Sequence, residues 1–201
     1  MKVGIFGGTF NPIHNGHLLI AENAYTQFQL DKVVFLPAGI PPHKQSMGIL
    51  DGKRRIEMVA SAIKDIPYFT YDPIEVEQQC VNYTYQTLYT LKQTHDSWDL
   101  YFIMGADSLL YFDKWVKPDA ILQQATILAA VRDGVDTTDL QEKIESIRRQ
   151  YSGNLGIIHT PEFNVSSHDI RKRVADKQSI RFLVPEAVRT IIQEEKLYTE
   201  K

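Results

Sequence analysis

The chain of 201 residues is 43% hydrophobic and 23% charged, the balance of a globular protein with ample core material, and a single domain over 1–201 is expected. A formal charge of −3 provides no global field toward nucleic acid or an anionic membrane, and no apolar stretch approaches the roughly 20 residues of a spanning helix. The only cysteine, Cys80, excludes an internal disulfide and a cysteine-based metal cluster and fits a reducing compartment, so a cytoplasmic protein is expected.

Lys2 to Phe6 is a short apolar strand, after which Leu18, Ala21, Ala24, Tyr25 and Phe28 recur every three to four residues, one face of a helix. Lys32 to Leu36 is a second strand, ending at Pro37. Lys53 to Ile63 is helical, with Ile56, Val59, Ala60 and Ile63 on one side. The pair Arg54-Arg55 within it reads as a solvated face, as does Arg148-Arg149. Phe69 to Tyr71 is a brief third strand, and Thr84 to Gln93 a helix carrying Leu88 and Leu91. Leu100 to Met104 and Ala125 to Val131 are strongly apolar strands, and Arg132 to Asp139 has the composition of a mobile surface loop. Leu140 to Tyr151 is helical, Leu155 to His159 a sixth strand, and Ser166 to Leu197 a helical tail. There Pro185 suits a first turn, and Val188, Ile191 and Ile192 supply a buried stripe. Strands without polar alternation, interleaved with helices, call for a parallel sheet covered on both faces. The expected fold is therefore α/β, doubly wound and Rossmann-like, with a C-terminal helical segment.

In such a sheet ligands collect outside the carboxyl ends of the strands, near the point where strand order reverses. The first strand delivers the chain into Gly7-Gly8 and then His14-Asn15-Gly16-His17, where a helix begins. Gly7 and Gly8 permit a tight turn and close approach of backbone N–H groups, but they do not complete the G-x-G-x-x-G fingerprint a dinucleotide-dependent dehydrogenase requires. His14 and His17 flank Gly16 at a helix mouth, whose free N–H groups and positive dipole end favour an anion. Two imidazoles there can donate to phosphate oxygens, and Gly16 removes a Cβ that would obstruct a phosphate. A zinc pair would need a third ligand, and none lies at a recognisable spacing. Turn histidines satisfied by backbone are the bland alternative; a pair bracketing a glycine at a helix start favours the anion site.

These residues resemble a known family. Gly7-Gly8-Thr9-Phe10-Asn11-Pro12-Ile13-His14-Asn15-Gly16-His17-Leu18 is similar to the T/H-x-G-H signature of the nucleotidylyltransferase superfamily, and Val165-Ser166-Ser167-His168-Asp169-Ile170-Arg171 to its I-S-S-T-x-I-R. Pro41-Pro42-His43-Lys44 after the second strand resembles the P-P-H-K loop of bacterial nicotinate-nucleotide adenylyltransferases. Asn82-Tyr83-Thr84 through Leu88 resembles their S-Y-T-x-x-T-L, Gly105-Ala106-Asp107-Ser108-Leu109 their G-x-D-S-L, and Trp115 an aromatic position. The resemblance implies AMP transfer from ATP to nicotinate mononucleotide, with Mg²⁺ carried on ATP and no metal site of the protein's own. ATP would contact Gly7, Gly8, Thr9, Phe10, His14, Gly16, His17, Gly105, Asp107, Ser166, Ser167 and Arg171. The mononucleotide would contact Gly8, Thr9, Pro42, His43, Lys44, Thr84 and Trp115. His14, His17, Lys44 and Arg171 would carry catalysis.

From the residues alone, Lys44 on a glycine- and proline-rich loop presents a cation, or is an ordinary surface lysine. Thr84, Ser166 and Ser167 would also serve as helix caps, and Trp115 as a half-buried packing residue. Asn11 stands where the family often has Asp, His168 where it has Thr, Gln78 where it has Arg and Asn82 where it has Ser. Nicotinamide mononucleotide or phosphopantetheine as acceptor, and a non-catalytic nucleotide-binding protein, are the alternatives. A homo-oligomer is left open.

Overall fold

The computed structural model describes residues 1–39, 48–78, 80–132 and 138–199. Six strands, β1 (Lys2–Gly8), β2 (Lys32–Pro37), β3 (Phe69–Tyr71), β4 (Asp99–Gly105), β5 (Ala125–Arg132) and β6 (Leu155–Thr160), form one sheet in the order β3-β2-β1-β4-β5-β6, every neighbouring pair parallel. The helices are α1 (Asn15–Phe28), α2 (Gly52–Ile63), α3 (Ile74–Glu77), α4 (Thr84–Thr94), α5 (Ala106–Leu110), α6 (Pro118–Gln124), α7 (Thr138–Gln150), α8 (Ser167–Ala175) and α9 (Glu186–Glu194). This is the expected doubly wound α/β fold. The chain runs outward from β1 through β2 to β3, then returns to place β4 on the other side of β1, so strand order reverses between β1 and β4.

Alternation along each strand feeds two cores, one on each face of the sheet. Val3, Ile5, Leu100, Phe102 and Met104 pack with Leu88, Leu91, Leu109, Ile121 and Ile144 from α4 to α7. Phe6, Ile103, Leu128 and Ile158 pack with Ala21, Ala24, Met58, Val59, Val188 and Ile192 from α1, α2 and α9. Strands buried on both faces cannot alternate with polar residues, which is why they read as continuous apolar runs.

The strand boundaries match the sequence reading to within one or two residues. The first helix starts at Asn15, three residues before its apolar stripe, with His14 as its N-cap. The buried stripe of α2 is Arg55, Met58, Val59 and Ile63, whereas Ile56 and Ala60 are only half-buried. Arg55 therefore belongs to the interior, correcting its reading as solvated; Arg54 is the surface member, paired with Glu57 and, at 2.7 Å, with Glu195. Residues 133–137 of the expected surface loop lie outside the described residues, and Thr138 and Asp139 open α7.

Ile103 sits on the central strand β4 with no exposed surface. Ile103→Ala should destabilise the protein by about 2–5 kcal/mol through lost burial and the cavity left behind, read as a lower urea midpoint at unchanged m-value.

Candidate active site

A cavity of about 590 Å³ opens at the carboxyl edge of β1, β4, β5 and β6, beside the reversal of strand order. Gly7, His14, Gly16, His17, Gly105, Asp107, Ser166 and Ser167 line it, so residues from both signatures and from the end of β4 converge there. Gly8, Thr9, Phe10 and Arg171 are not among its lining residues.

His14 is buried in extended conformation (φ −146°, ψ 168°) as the N-cap of α1, and His17 lies one turn on. Their rings stack with centroids 3.6 Å apart and planes 24° apart. The His14 backbone N–H donates to His17 Nδ1 at 3.2 Å. Burial, and secondarily the neighbouring His14, hold the His17 pKa well below the ordinary 6.5. The ring is thus neutral near pH 7 and accepts at Nδ1, so its proton belongs on Nε2, which is left as a donor. No acidic side chain occupies the first turn of α1, so the positive end of that helix is not neutralised from within.

The support beneath the pair is aromatic. Phe10 takes a positive φ of 48°, unusual for a bulky residue, with its ring 5.0 Å from that of His17 and 5.7 Å from that of Phe6. A Cβ on Gly8 would stand 2.9 Å from the Phe10 ring, so glycine there is set by packing. Gly16 also has a packing cause. Its Cβ would meet Val165 Cγ1 at 2.8 Å and His14 Nδ1 at 3.1 Å, so the residue makes room for the second signature as well as for any ligand. Gly105 differs: a Cβ there would meet no protein atom within 4 Å, and it stands open on the cavity wall.

The second signature is bound to the first by hydrogen bonds. Ser167 Oγ donates to the Pro12 carbonyl at 2.9 Å, and Arg171 donates to the Asn11 carbonyl at 2.8 Å. Arg171 thus reaches the back of the first turn. Ser166 is the N-cap of α8, accepting from the Asp169 N–H at 3.1 Å and donating to its carboxylate at 2.7 Å; His168 is exposed. Asn11 is a hub that explains its own identity. Its amide donates to the Gly48 carbonyl at 2.8 Å, while its oxygen accepts from the Leu50 N–H at 3.2 Å and from Tyr198 Oη at 2.9 Å. An aspartate could accept those two bonds but could not make the one to Gly48.

Thr84 opens α4, with Tyr83 rather than Thr84 at the N-cap. Trp115 is half-buried, edge-on to Phe102 at 6.1 Å, and the same Phe102 ring lies 3.5 Å from where a Gly7 Cβ would be. Pro42, His43 and Lys44 lie outside the described residues.

Sequence reasoning missed the apolar wall formed by Leu110, Ala130, Val131, Leu140 and Phe163. These residues come from separate elements and share no local pattern. It also missed the interior Arg55, although Met58 and Val59 at the i+3 and i+4 positions place it on a buried helical stripe.

A family model described as cytidylyltransferase-like matches residues 5–173. A protein of Lachnoclostridium phytofermentans named "probable nicotinate-nucleotide adenylyltransferase" is 40% identical over 191 residues, 95% of this chain and 96% of its own length. A protein of the same name from Clostridium botulinum (strain Alaska E43) is 40% identical over 200 residues, 100% of this chain and 99% of its own. Among solved structures, the Plasmodium falciparum nicotinic acid mononucleotide adenylyltransferase complexed with APC has the same fold. Its TM-score is 0.78 at 17% identity, over 100% of this chain and 98% of that one.

The lowered His17 pKa predicts a pH signature in stability. Between that value and 6.5 the unfolded chain binds a proton at this residue that the folded chain refuses, so stability falls as pH drops through that window. Urea midpoints measured from pH 7.5 to 5.5 should decline in the native protein and decline less in His17→Ala; parallel slopes would contradict the buried neutral ring.

Proposed function

Because the chain belongs to the cytidylyltransferase-like family, and within it to the nicotinate-nucleotide adenylyltransferase group, we propose that it transfers AMP from ATP to nicotinate mononucleotide, forming deamido-NAD and pyrophosphate. The observation that carries the chemistry is the stacked His14–His17 pair, facing one cavity with Gly105, Asp107, Ser166 and Ser167.

The mononucleotide 5′-phosphate attacks the α-phosphorus of ATP in line, and pyrophosphate leaves. A phosphate is already ionised near neutral pH and needs no general base, so catalysis consists of positioning and charge stabilisation. His17 Nε2–H and His14 meet the α-phosphate oxygens as negative charge grows there. The N-termini of α1 and α8 add aligned dipoles. The wall of Leu110, Ala130, Val131 and Phe163 suits the adenine ring, and Asp107 the ribose. Lys44 steadies the transferring phosphate. Arg171, tied to the Asn11 carbonyl, acts on the leaving phosphates with whatever part of its fork that bond leaves available.

Thr84 and the α4 N-terminus receive the nicotinate carboxylate, with Trp115 stacking on the pyridine ring. The divalent ion enters as the metal complex of ATP. Among the described residues no three His, Cys, Asp or Glu side chains converge to hold one, which suits an ion such as Mg²⁺ that keeps phosphate and water as its ligands. When bound, it offsets charge on the triphosphate.

Two measurements test this reading. Pyrophosphate release from ATP should be much faster with nicotinate mononucleotide than with its amide; equal rates would remove the acid specificity, and no release with either would remove the activity. His17→Ala should lower kcat by roughly 10²–10³-fold with the fold intact, the loss of one well-aimed donor; an unchanged rate would exclude the role given to that ring.

A further inference from the structure

Arg55 is 2% exposed, yet among the described residues it makes no ion pair. Its guanidinium is satisfied by backbone carbonyls. Nε donates to Leu50 at 3.1 Å, one terminal nitrogen to Thr9 at 2.8 Å, and the other to Ala38 at 2.7 Å and Gly39 at 3.3 Å. Burial lowers the pKa of the group, with Asp51 and then Tyr198 opposing that shift. A buried cation held only by carbonyls is costly to keep, and an apolar side chain would fill the same stripe of α2 at less expense. What the cation supplies is geometry: one rigid fork joins the turn after β1, the turn after β2 and the residue leading into α2.

The Ala38–Gly39 peptide is held from its other edge as well. The Gly39 N–H lies against the Glu75 carboxylate, which also accepts from Thr87 Oγ1 at 2.8 Å. In a trans peptide the carbonyl of Ala38 and the N–H of Gly39 point in opposite directions. Arg55 therefore grips one edge of this peptide plane by hydrogen bonds, and Glu75 faces the other. No side chain fits between, since a Cβ on Gly39 would stand 2.2 Å from the Glu75 carbonyl oxygen and 2.6 Å from the Asn82 side-chain amide. Thr87 lies one turn along α4 from Thr84, so the same carboxylate registers the start of α4 against the turn.

We propose that Arg55 and Glu75 are positioning residues for the mononucleotide, clamping the Ala38–Gly39 peptide from opposite edges and so setting the first turn, the second turn and the α4 N-terminus at fixed separations. The inference rests on the functional reading above, which assigns Thr84 to that substrate; the family resemblance gives Thr9 to both substrates. The triphosphate cavity is lined from β1, α1, β4 to β6 and the start of α8, and neither clamp residue lines it, although Arg55 holds the Thr9 carbonyl in the turn that joins β1 to α1. Glu75, which reaches only the second turn and α4, should accordingly discriminate between the two substrates, whereas Arg55 also braces the turn shared with ATP.

The test compares the intact protein with Arg55→Lys, Glu75→Gln and the double variant. Lysine cannot span four carbonyls, and glutamine offers only one accepting head atom. Each single variant should raise KM for nicotinate mononucleotide roughly tenfold, in line with losing one charge-assisted hydrogen bond; Glu75→Gln should leave KM for ATP within about twofold, whereas Arg55→Lys, which also loosens the first turn, should lower kcat as well. The double variant should fall short of the product of the two effects, as coupled neighbours do. An unchanged mononucleotide KM in either variant, or equal rises for both substrates in Glu75→Gln, would overturn the proposal. If Arg55→Lys does not fold, Glu75→Gln decides alone. If the native protein transfers nothing to nicotinate mononucleotide, the functional reading has failed separately. The clamp is then judged by amide hydrogen exchange at Gly39, which should quicken roughly tenfold in Glu75→Gln; an unaltered rate would overturn it.

Discussion

The hydrogen bond from the His14 backbone N–H to His17 Nδ1 is the interaction on which the site turns. It uses one of the N–H groups that a helix start would otherwise leave without an intrahelical partner, and in doing so it assigns the proton of a neutral imidazole to the opposite nitrogen. Local helix geometry thereby determines which atom of His17 can donate. The stacked His14 ring and the Phe10 and Phe6 rings then fix the orientation of that donor. Phe10 can serve as this wall only by adopting a left-handed backbone conformation, a strain of order 1–3 kcal/mol that the surrounding contacts must over-determine. Those contacts are visible: Arg55 on the Thr9 carbonyl, Arg171 on the Asn11 carbonyl and Ser167 on the Pro12 carbonyl.

The two signatures thus work as one cross-braced unit. Val165 occupies the space that a side chain on Gly16 would fill, which presses the loop before α8 against the mouth of α1 and brings two helix N-termini to one cavity. Arg171 illustrates the consequence. As a sequence position it reads as a cation for phosphates, yet one of its nitrogens is committed to the backbone of the first turn. The same guanidinium can order the turn and add positive potential behind it. Asn11 completes the brace toward the C-terminus through Tyr198, whose hydroxyl is held well above its ordinary pKa by burial and so remains a donor.

Much of this was legible in the residues because the signals were local. Continuous apolar runs marked the strands, and the histidine pair around Gly16 marked the helix mouth that lines the cavity. The short helices α3, α5 and α6 were not read, since one or two turns do not display a helical period and such helices owe their existence to tertiary packing. Arg55 was misread for a different reason. A charged residue beside another charged residue looks solvated, and its interior position follows only when the stripe is counted through Met58 rather than Ile56. Gly16 was read as ligand clearance, and the structure adds a packing cause the sequence did not display, Val165 of the second signature, far along the chain. The apolar cavity wall had no signal at all, because the fold assembles it from four separate segments.

The electrostatic design follows from using neutral donors. The chain carries a formal charge of −3, so at long range it does not attract an anionic substrate. Selectivity for phosphate must then come from short-range groups inside the cavity, where low dielectric magnifies oriented dipoles. A neutral imidazole suits that task better than an imidazolium, because it carries no ionic desolvation cost in the empty site and still offers a directed N–H where charge develops. The same logic explains why the first turn of α1 contains no carboxylate, and why the acid at the start of α8, Asp169, is engaged by the Ser166 hydroxyl. Arg55 is set outside the cavity and surrounded by carbonyls, where its charge maintains backbone geometry. Arg55 thus shapes the frame, while the neutral His17 ring and the helix N-termini face the cavity.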